Sequence, residues 1–208
     1  MSEAAVDDEG FGDELILASA SKTRAAMLQN AGLKVVCDPA HVDEDAVKES
    51  LQAEGATAAI VAETLAELKA VKVSRRHPGR IVIGADQTLD LGGVWFDKPV
   101  DLDHARAHLQ AFSGKTHRLN SAVSVVRDGQ VLWHATDWAE LTVRPLDSGF
   151  IARYLDAVGD AALSSVGAYQ LEGLGAQLFT AVRGDYFTVL GLPLLQLLGF
   201  LRQTGALR

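Results

Sequence analysis

The sequence predicts an α/β fold, on three observations. Short apolar runs that stop at small or polar residues, LILA at 15–18, KVVC at 34–37 and IVI at 81–83, have the length and composition of buried strands. The stretches between them, 25–32 and 56–76, carry apolar residues at helical spacing. The 208 residues, with an ordinary globular share of apolar side chains, can bury one sizeable core and call for no second domain. Residues 14–208 are read as one domain behind an acidic tail at 1–13, expected to be flexible.

Composition narrows the function classes. The tail has no basic start followed by an apolar run, as a signal peptide would. The most apolar segment, Val189 to Leu201, is interrupted by Gly191, Pro193 and Gly199 and is too short to span a bilayer. The single cysteine, Cys37, excludes an internal disulfide and a Cys-based zinc site and suits a reducing compartment; ending an apolar run, it is expected to be buried. A cytoplasmic protein without a membrane partner is the expectation. A net charge of −8 argues against a surface that grips nucleic acid through phosphates. A small phosphate ligand would need basic residues that converge locally, and a divalent metal would ease the remaining repulsion.

The first strand, at 15–18, leads through SASKTR into a helix marked by Ala25 and Leu28 and ended by Gly32. Ser19 or Ser21 can cap it, and a strand entering a helix start is equally a ready anion site. Arg24 stands in the first turn, where a cation opposes the helix dipole unless an anion binds there. A second strand at 34–37 precedes HVDEDAVKES, whose Asp43, Glu44 and Asp45 read as helix-start acids. The long helix after Gly55 buries a stripe of Val61, Leu65 and Leu68. Lys69 lies on the margin of that stripe, either snorkelling to solvent or aimed into a cleft at an anion.

The central stretch is IVIGADQT at 81–88. It predicts a strand that stops at Gly84 and delivers Asp86 and Gln87 beyond its carboxyl end, where α/β proteins hold ligands; an Asp capping a turn is the alternative. A turn at 90–93 and a returning strand at 94–96 would carry Lys98 back towards Asp86, with Lys98 held extended before Pro99. A helix capped by Asp101 or Asp103 ends at Ser113-Gly114, and a long hairpin turns at Asp128-Gly129. A helix starts at Asp147, a glycine-rich loop contains Glu172, two strands flank Arg183-Gly184-Asp185, and a last helix opens at Pro193. The histidines at 104, 108, 117 and 134 show no metal-ligand spacing.

Together these pieces resemble the Maf family of nucleoside triphosphate pyrophosphatases. Eight motifs stand in the family's order: LASASKTR at 17–24, Asp43-Glu44, LAELKA around Lys69, GADQ at 84–87, Lys98-Pro99, FSGKTH at 112–117, GAYQLEG at 167–173 and GLP at 191–193. The resemblance implies a central mixed sheet flanked by helices, with a cleft between two lobes, similar to inosine triphosphate pyrophosphatases. It implies a hydrolase that cuts between the α and β phosphorus atoms, releasing monophosphate and pyrophosphate. By matching motif, Asp86 is the catalytic carboxylate. Lys69, Lys98 and Arg24 would face the phosphates, with Ser19 and Ser21 in the phosphate-binding turn. Glu44 and Asp86 would hold a divalent cation, Mg or Mn. Cations around Asp86 would be expected to depress its pKa. A homodimer is the family's expected state.

Substrate choice would rest on Thr23, Gln87 and Glu172. Gln87 and Glu172 match the branch similar to 7-methyl-GTP pyrophosphatase, whereas Thr23 stands where that branch has a tryptophan able to stack on a cationic base. The implied function is hydrolysis of nucleoside triphosphates, including non-standard or modified ones, with 7-methyl-GTP as the specific alternative. A nucleotide-binding regulator of septum formation is the alternative of another class.

Overall fold

The computed structural model describes residues 12–207. The expected flexible tail lies almost wholly outside the described residues, and its last two residues are tied down: Gly12 bridges Leu207, and the Asp13 N–H donates to the Ala206 carbonyl.

Seven strands form one mixed sheet. β1 (Leu15–Leu17) pairs in parallel with β2 (Val35–Cys37), across α1 (Lys22–Asn30), and with the start of β3 (Val82–Leu91). Between β2 and β3 run α2 (Glu44–Ala53) and α3 (Ala58–Ser74). β4 (Val94–Phe96) folds back antiparallel on the end of β3, and α4 (Leu102–Phe112) follows it. The long hairpin of β5 (Thr116–Arg127) and β6 (Gln130–Val143) continues the sheet antiparallel to β3. Asp128 and Gly129 at its tip take positive φ, 51° and 77°, the twist that a two-residue hairpin turn demands. After α5 (Ser148–Val158) and two 3-10 turns come β7 (Phe179–Arg183), α6 (Tyr186–Val189) and α7 (Leu194–Gln203), giving the order β2-β1-β3-β5-β6-β7 with β4 beside β3.

The structure corrects several expectations. β3 does not stop at Gly84 but runs ten residues to Leu91. What stops is its neighbour: β1 pairs only with Val82 and Ile83, and β4 only with Leu89 to Leu91, so residues 84–88 have no strand on that side. Asp86 stands in the middle of this gap, beyond the carboxyl end of β1. The second strand expected after Gly184 is instead the single turn α6, because Asp185 accepts from the N–H groups of Phe187 and Thr188 and starts a helix there. Cys37 is exposed rather than buried, since β2 is an edge strand. Leu68 is 40 % exposed, and the buried stripe of α3 continues instead through Ala66, Lys69 and Ala70.

Alternation along β3 sends Gly84, Asp86 and Thr88 to the α3 face of the sheet. Thr88 Oγ1 donates there to the Ala58 carbonyl. Ala62, Ala66 and Ala70, four apart on α3, let the helix approach so closely that a Cβ at Gly84 would lie 2.0 Å from the Ala66 carbonyl oxygen and 2.8 Å from Ala70 Cβ. The glycine is therefore a packing requirement and not a break. The apolar interior gathers in two main clusters. One joins β1, α1, the start of β3 and α7; the other joins α4, α5 and the far ends of β5 and β6. Among the described residues, no helix is long and apolar enough to cross a membrane.

Candidate active site

A cleft of about 980 Å³ opens at the gap in the sheet, and its wall contains all ten residues singled out in the sequence: Ser19, Ser21, Thr23, Arg24, Glu44, Lys69, Asp86, Gln87, Lys98 and Glu172. They come from six separate segments of chain.

At its floor Lys69, 7 % exposed, sets its ammonium 2.6 Å from Asp86 Oδ1 and 2.7 Å from Glu44 Oε1. This decides between the two readings of Lys69 in favour of the inward one. Burial raises the Asp86 carboxyl above its ordinary range and outweighs the opposing pull of Lys69 and Arg24. The expected depression of this pKa is thus corrected: at 6 % exposure, desolvation of the carboxylate is the larger effect. At Glu44 burial acts upward, but Lys69, Lys48 and Lys98 together hold it below its ordinary value. The two carboxylates, side by side, are driven in opposite directions.

The β1–α1 turn forms the next part of the wall. Ser21 caps α1, its Oγ accepting from the Arg24 N–H, and Ser19 Oγ accepts from the Ser21 N–H and from Arg24 Nη1. Both serines accept in these bonds, which leaves each hydroxyl hydrogen to donate to an anion. The Arg24 guanidinium spans the turn: Nε donates to the Gly191 carbonyl, and Nη1 also donates to the Ala85 carbonyl that the gap beside β3 leaves unpaired. Arg24 thereby ties three segments together, and its Nη2 has no hydrogen-bond partner among the described residues. Burial lowers its pKa against the pull of Asp86 and Glu44.

Lys98 projects from the strand end after β4. No carboxylate of the described residues lies within ion-pair distance of it, and shielding by the cleft wall, with Arg24 and Lys69 nearby, lowers its pKa. Such a cation has its charge available for a ligand. Gln87 is fixed on the opposite face of β3, where Nε2 faces Ser121 Oγ and the carbonyls of Thr188 and Val189, leaving Oε1 as an acceptor. Glu172 is exposed at the rim, and Thr23 lies beside the serine turn.

The loop that carries Glu172 is held from beneath. Tyr154 OH donates to the Ala168 carbonyl, Ser165 Oγ donates to the Tyr169 carbonyl, and the Tyr169 hydroxyl meets His117 Nε2 at 2.6 Å. Ala168 is kept at φ 58°, a strained value that such contacts can maintain. This buried His117–Tyr169 link joins two of the sequence motifs.

Sequence reasoning missed Lys48, Asp97 and Trp95, which also line the cleft. Lys48 was detectable: it stands four residues after Glu44, hence on the same face of α2. Trp95 carried no signal separable from strand packing.

Two carboxylates converging on one ammonium have oxygens at most about 5.3 Å apart, so modest rearrangement would bring both onto one hard cation. The cleft wall also holds six carboxylates (Glu44, Asp45, Glu49, Asp86, Asp97, Glu172) against four cations (Arg24, Lys48, Lys69, Lys98), an excess that suits a divalent ion. Among the described residues no group of three or more carboxylate, imidazole or thiolate ligands gathers, so a cation here would be held by these two carboxylates and complete its shell with water and phosphate oxygens, a donor set compatible with Mg or Mn.

Comparison with known proteins gives the lineage. The family model described as Maf-like protein matches residues 14–204. A nucleoside triphosphate pyrophosphatase of Paramagnetospirillum magneticum is 59% identical over 92% of this chain and 99% of its own. A 7-methyl-GTP pyrophosphatase of Brucella suis is 56% identical over 91% of this chain and 96% of its own, and a nucleoside triphosphate pyrophosphatase of Granulibacter bethesdensis is 52% identical over 93% and 97%. With six of its eight motifs contributing to the wall of one cleft and nearly its whole length matched, the chain belongs to the Maf-like protein family.

Proposed function

We propose that this protein hydrolyses nucleoside triphosphates to the monophosphate and pyrophosphate. The observation that carries the reading is the meeting of Asp86, Glu44 and Lys69 at the gap in the sheet, in a cleft shared with Arg24 and Lys98. The names of the relatives support it.

Phosphoryl transfer asks a protein for positioning and for stabilisation of charge on the phosphate oxygens. Asp86, its basicity raised by burial, accepts the proton of a water that attacks the α phosphorus; the bond from that phosphorus to the bridging oxygen breaks, and pyrophosphate leaves with the bond's electron pair. Lys69 holds Asp86 in place. Lys98, Arg24 Nη2, the hydroxyls of Ser19 and Ser21 and the first N–H groups of α1 take the phosphate oxygens. Glu44 and Asp86 would hold the divalent cation, Mg or Mn, which when bound neutralises phosphate charge.

7-Methyl-GTP is the second reading. Gln87 Oε1 and the Glu172 carboxylate offer acceptors to the N–H groups of a guanine edge, and the acidic rim suits the positive charge that methylation adds. We place the activity in the cytoplasm, in a homodimer without a membrane partner; the net charge of −8 weighs against a nucleic-acid partner.

The test is a panel of normal and modified triphosphates assayed for pyrophosphate with Mg or Mn, run in oxygen-labelled water. Label in the monophosphate supports attack at the α phosphorus, and label in inorganic phosphate contradicts it. Asp86→Asn is expected to reduce turnover by about two orders of magnitude or more while nucleotide binding remains measurable. Unchanged turnover would remove Asp86 from the mechanism.

A further inference from the structure

Helix α2 carries Glu44 to the reacting centre, yet it buries no residue. Its apolar Val47 and Leu51 are only half-buried, so packing of an apolar stripe, the usual source of helix stability in a fold, holds α2 weakly and its polar contacts weigh more. Two such contacts reach across the cleft. Glu44 meets Lys69, and one turn later Lys48 donates to Asp97, which directly precedes Lys98 on the strand end after β4. Lys48 and Asp97 both line the cleft. The second contact therefore joins α2 to the segment that presents Lys98, over the space a triphosphate would enter.

We propose that Lys48 and Asp97 are positioning residues, whose ion pair fastens α2 across the cleft and so holds Glu44 against Lys69 and Asp86. The proposal rests on the reading of Glu44 as part of the active site. It also makes α2 the element that opens to admit substrate, since breaking one ion pair at its middle and one at its start frees its contacts to the opposite wall. Asp97 is 66% exposed at its side chain, so the pair acts on a balance of states and not as a rigid bolt.

The test is a double-mutant cycle with Lys48→Met and Asp97→Asn, read by amide hydrogen exchange over residues 44–53 and by steady-state kinetics on the triphosphate that the panel selects. Each single variant is expected to raise exchange in α2 about two- to five-fold, the range that a partly exposed ion pair supports. Exchange in α4 should not change. kcat should fall by a similar factor, the double variant should be no worse than either single, and Lys48→Arg, which keeps the bridge, should resemble wild type. Unchanged α2 exchange in both single variants would overturn the proposal. So would a raised KM for Lys48→Met beside a lowered one for Asp97→Asn, since that pattern makes Lys48 a phosphate ligand for which Asp97 competes. If the wild type turns over no triphosphate, the functional reading falls, while the exchange arm still decides whether the pair fastens α2.

Discussion

Gly84→Ala tests whether helix–strand packing sets the catalytic geometry. The added Cβ would sit 2.0 Å from the Ala66 carbonyl oxygen and 2.8 Å from both Ala70 Cβ and the Ala70 nitrogen, closer than the roughly 3 Å below which such contacts essentially never occur. Two of those atoms are main chain, so no rotamer change relieves them, and α3 and β3 must part by about 1 Å. Asp86 is two residues along the same face of β3, and Lys69 is three residues past Ala66 on α3. Their contact of 2.6 Å would open to about 3.6 Å, beyond hydrogen-bonding distance. Overpacking of this kind costs about 1–3 kcal/mol. With a urea dependence of about 2 kcal/mol per molar, the unfolding midpoint should fall by about 1 M. A displacement of about 1 Å at reacting groups can cost about a hundred-fold in rate, so turnover should fall by more than the stability loss accounts for under native conditions. Adding Ala70→Gly should rescue neither quantity, because the nearer obstacle is the Ala66 carbonyl. Urea midpoints and pyrophosphate release, measured on the same preparations, decide it. A Gly84→Ala protein with wild-type midpoint and wild-type turnover would refute the argument that α3 rests on this glycine.

Three further outcomes follow from other parts of the structure. Lys98→Met should raise KM for the triphosphate about ten-fold or more, the loss of one charge-assisted hydrogen bond, with the unfolding midpoint unchanged or slightly higher because Lys98 has no carboxylate partner among the described residues; a fall in the midpoint with unchanged KM would make Lys98 a structural group. His117, pushed down to about 4 by burial, takes up a proton when unfolded near its ordinary 6.5 but not when folded until near 4. Stability should therefore fall as pH drops from 6.5 towards 4, by about 2 kcal/mol between pH 7 and pH 5, and His117→Gln, compared by urea midpoints at those two pH values, should lose that component. Gly199→Ala, inside α7 with nothing within 4 Å of the added Cβ, should stabilise by about 0.5–1 kcal/mol, and a lower midpoint would contradict the open space at that position.

How much of this was legible in the sequence depends on whether the signal was local. Caps and turns were: Asp43, Asp101 and Asp147 each accept from the N–H three residues on, and Asp128-Gly129 turns the hairpin. Motif order brought ten residues to one cleft without a coordinate. What failed was non-local. Gly84 looked like a strand end because a glycine often is one, whereas here it answers to the Ala66 carbonyl on the preceding helix, a contact set by how α3 folds back on the sheet. Asp185 could cap a turn or a helix; its cap on the Phe187 and Thr188 N–H groups becomes a helix here with α6 packed against β5 and β6, a contact the local sequence does not show. The pKa of Asp86 was misjudged because its neighbours could be named from sequence, while the depth of its burial could not.

The burial of Asp86 beside Lys69 bears on how the site works. With Lys69 facing both Asp86 and Glu44, its charge in the ligand-free protein is already committed to carboxylates, and Arg24 is committed to two carbonyls and a hydroxyl. Of the four cations in the cleft, Lys48 is paired with Asp97, so Lys98 is the one with neither a carboxylate nor a hydrogen-bond partner among the described residues. A triphosphate entering a cleft with six carboxylates meets a field of its own sign, and selective binding must come from directed donors rather than from net charge. Such an arrangement makes affinity depend on what accompanies the substrate. Glu44 and Asp86 would hold a divalent cation that accompanies the triphosphate, and that cation would supply neutralisation of phosphate charge. The same commitment of Lys69 keeps Asp86 aligned before substrate arrives, so that its reorganisation is completed in folding and not at the moment of reaction. Lys69 on this argument is first a positioning group for the base and only then a phosphate ligand, and Lys69→Met should damage kcat more than KM, whereas Lys98→Met should do the reverse.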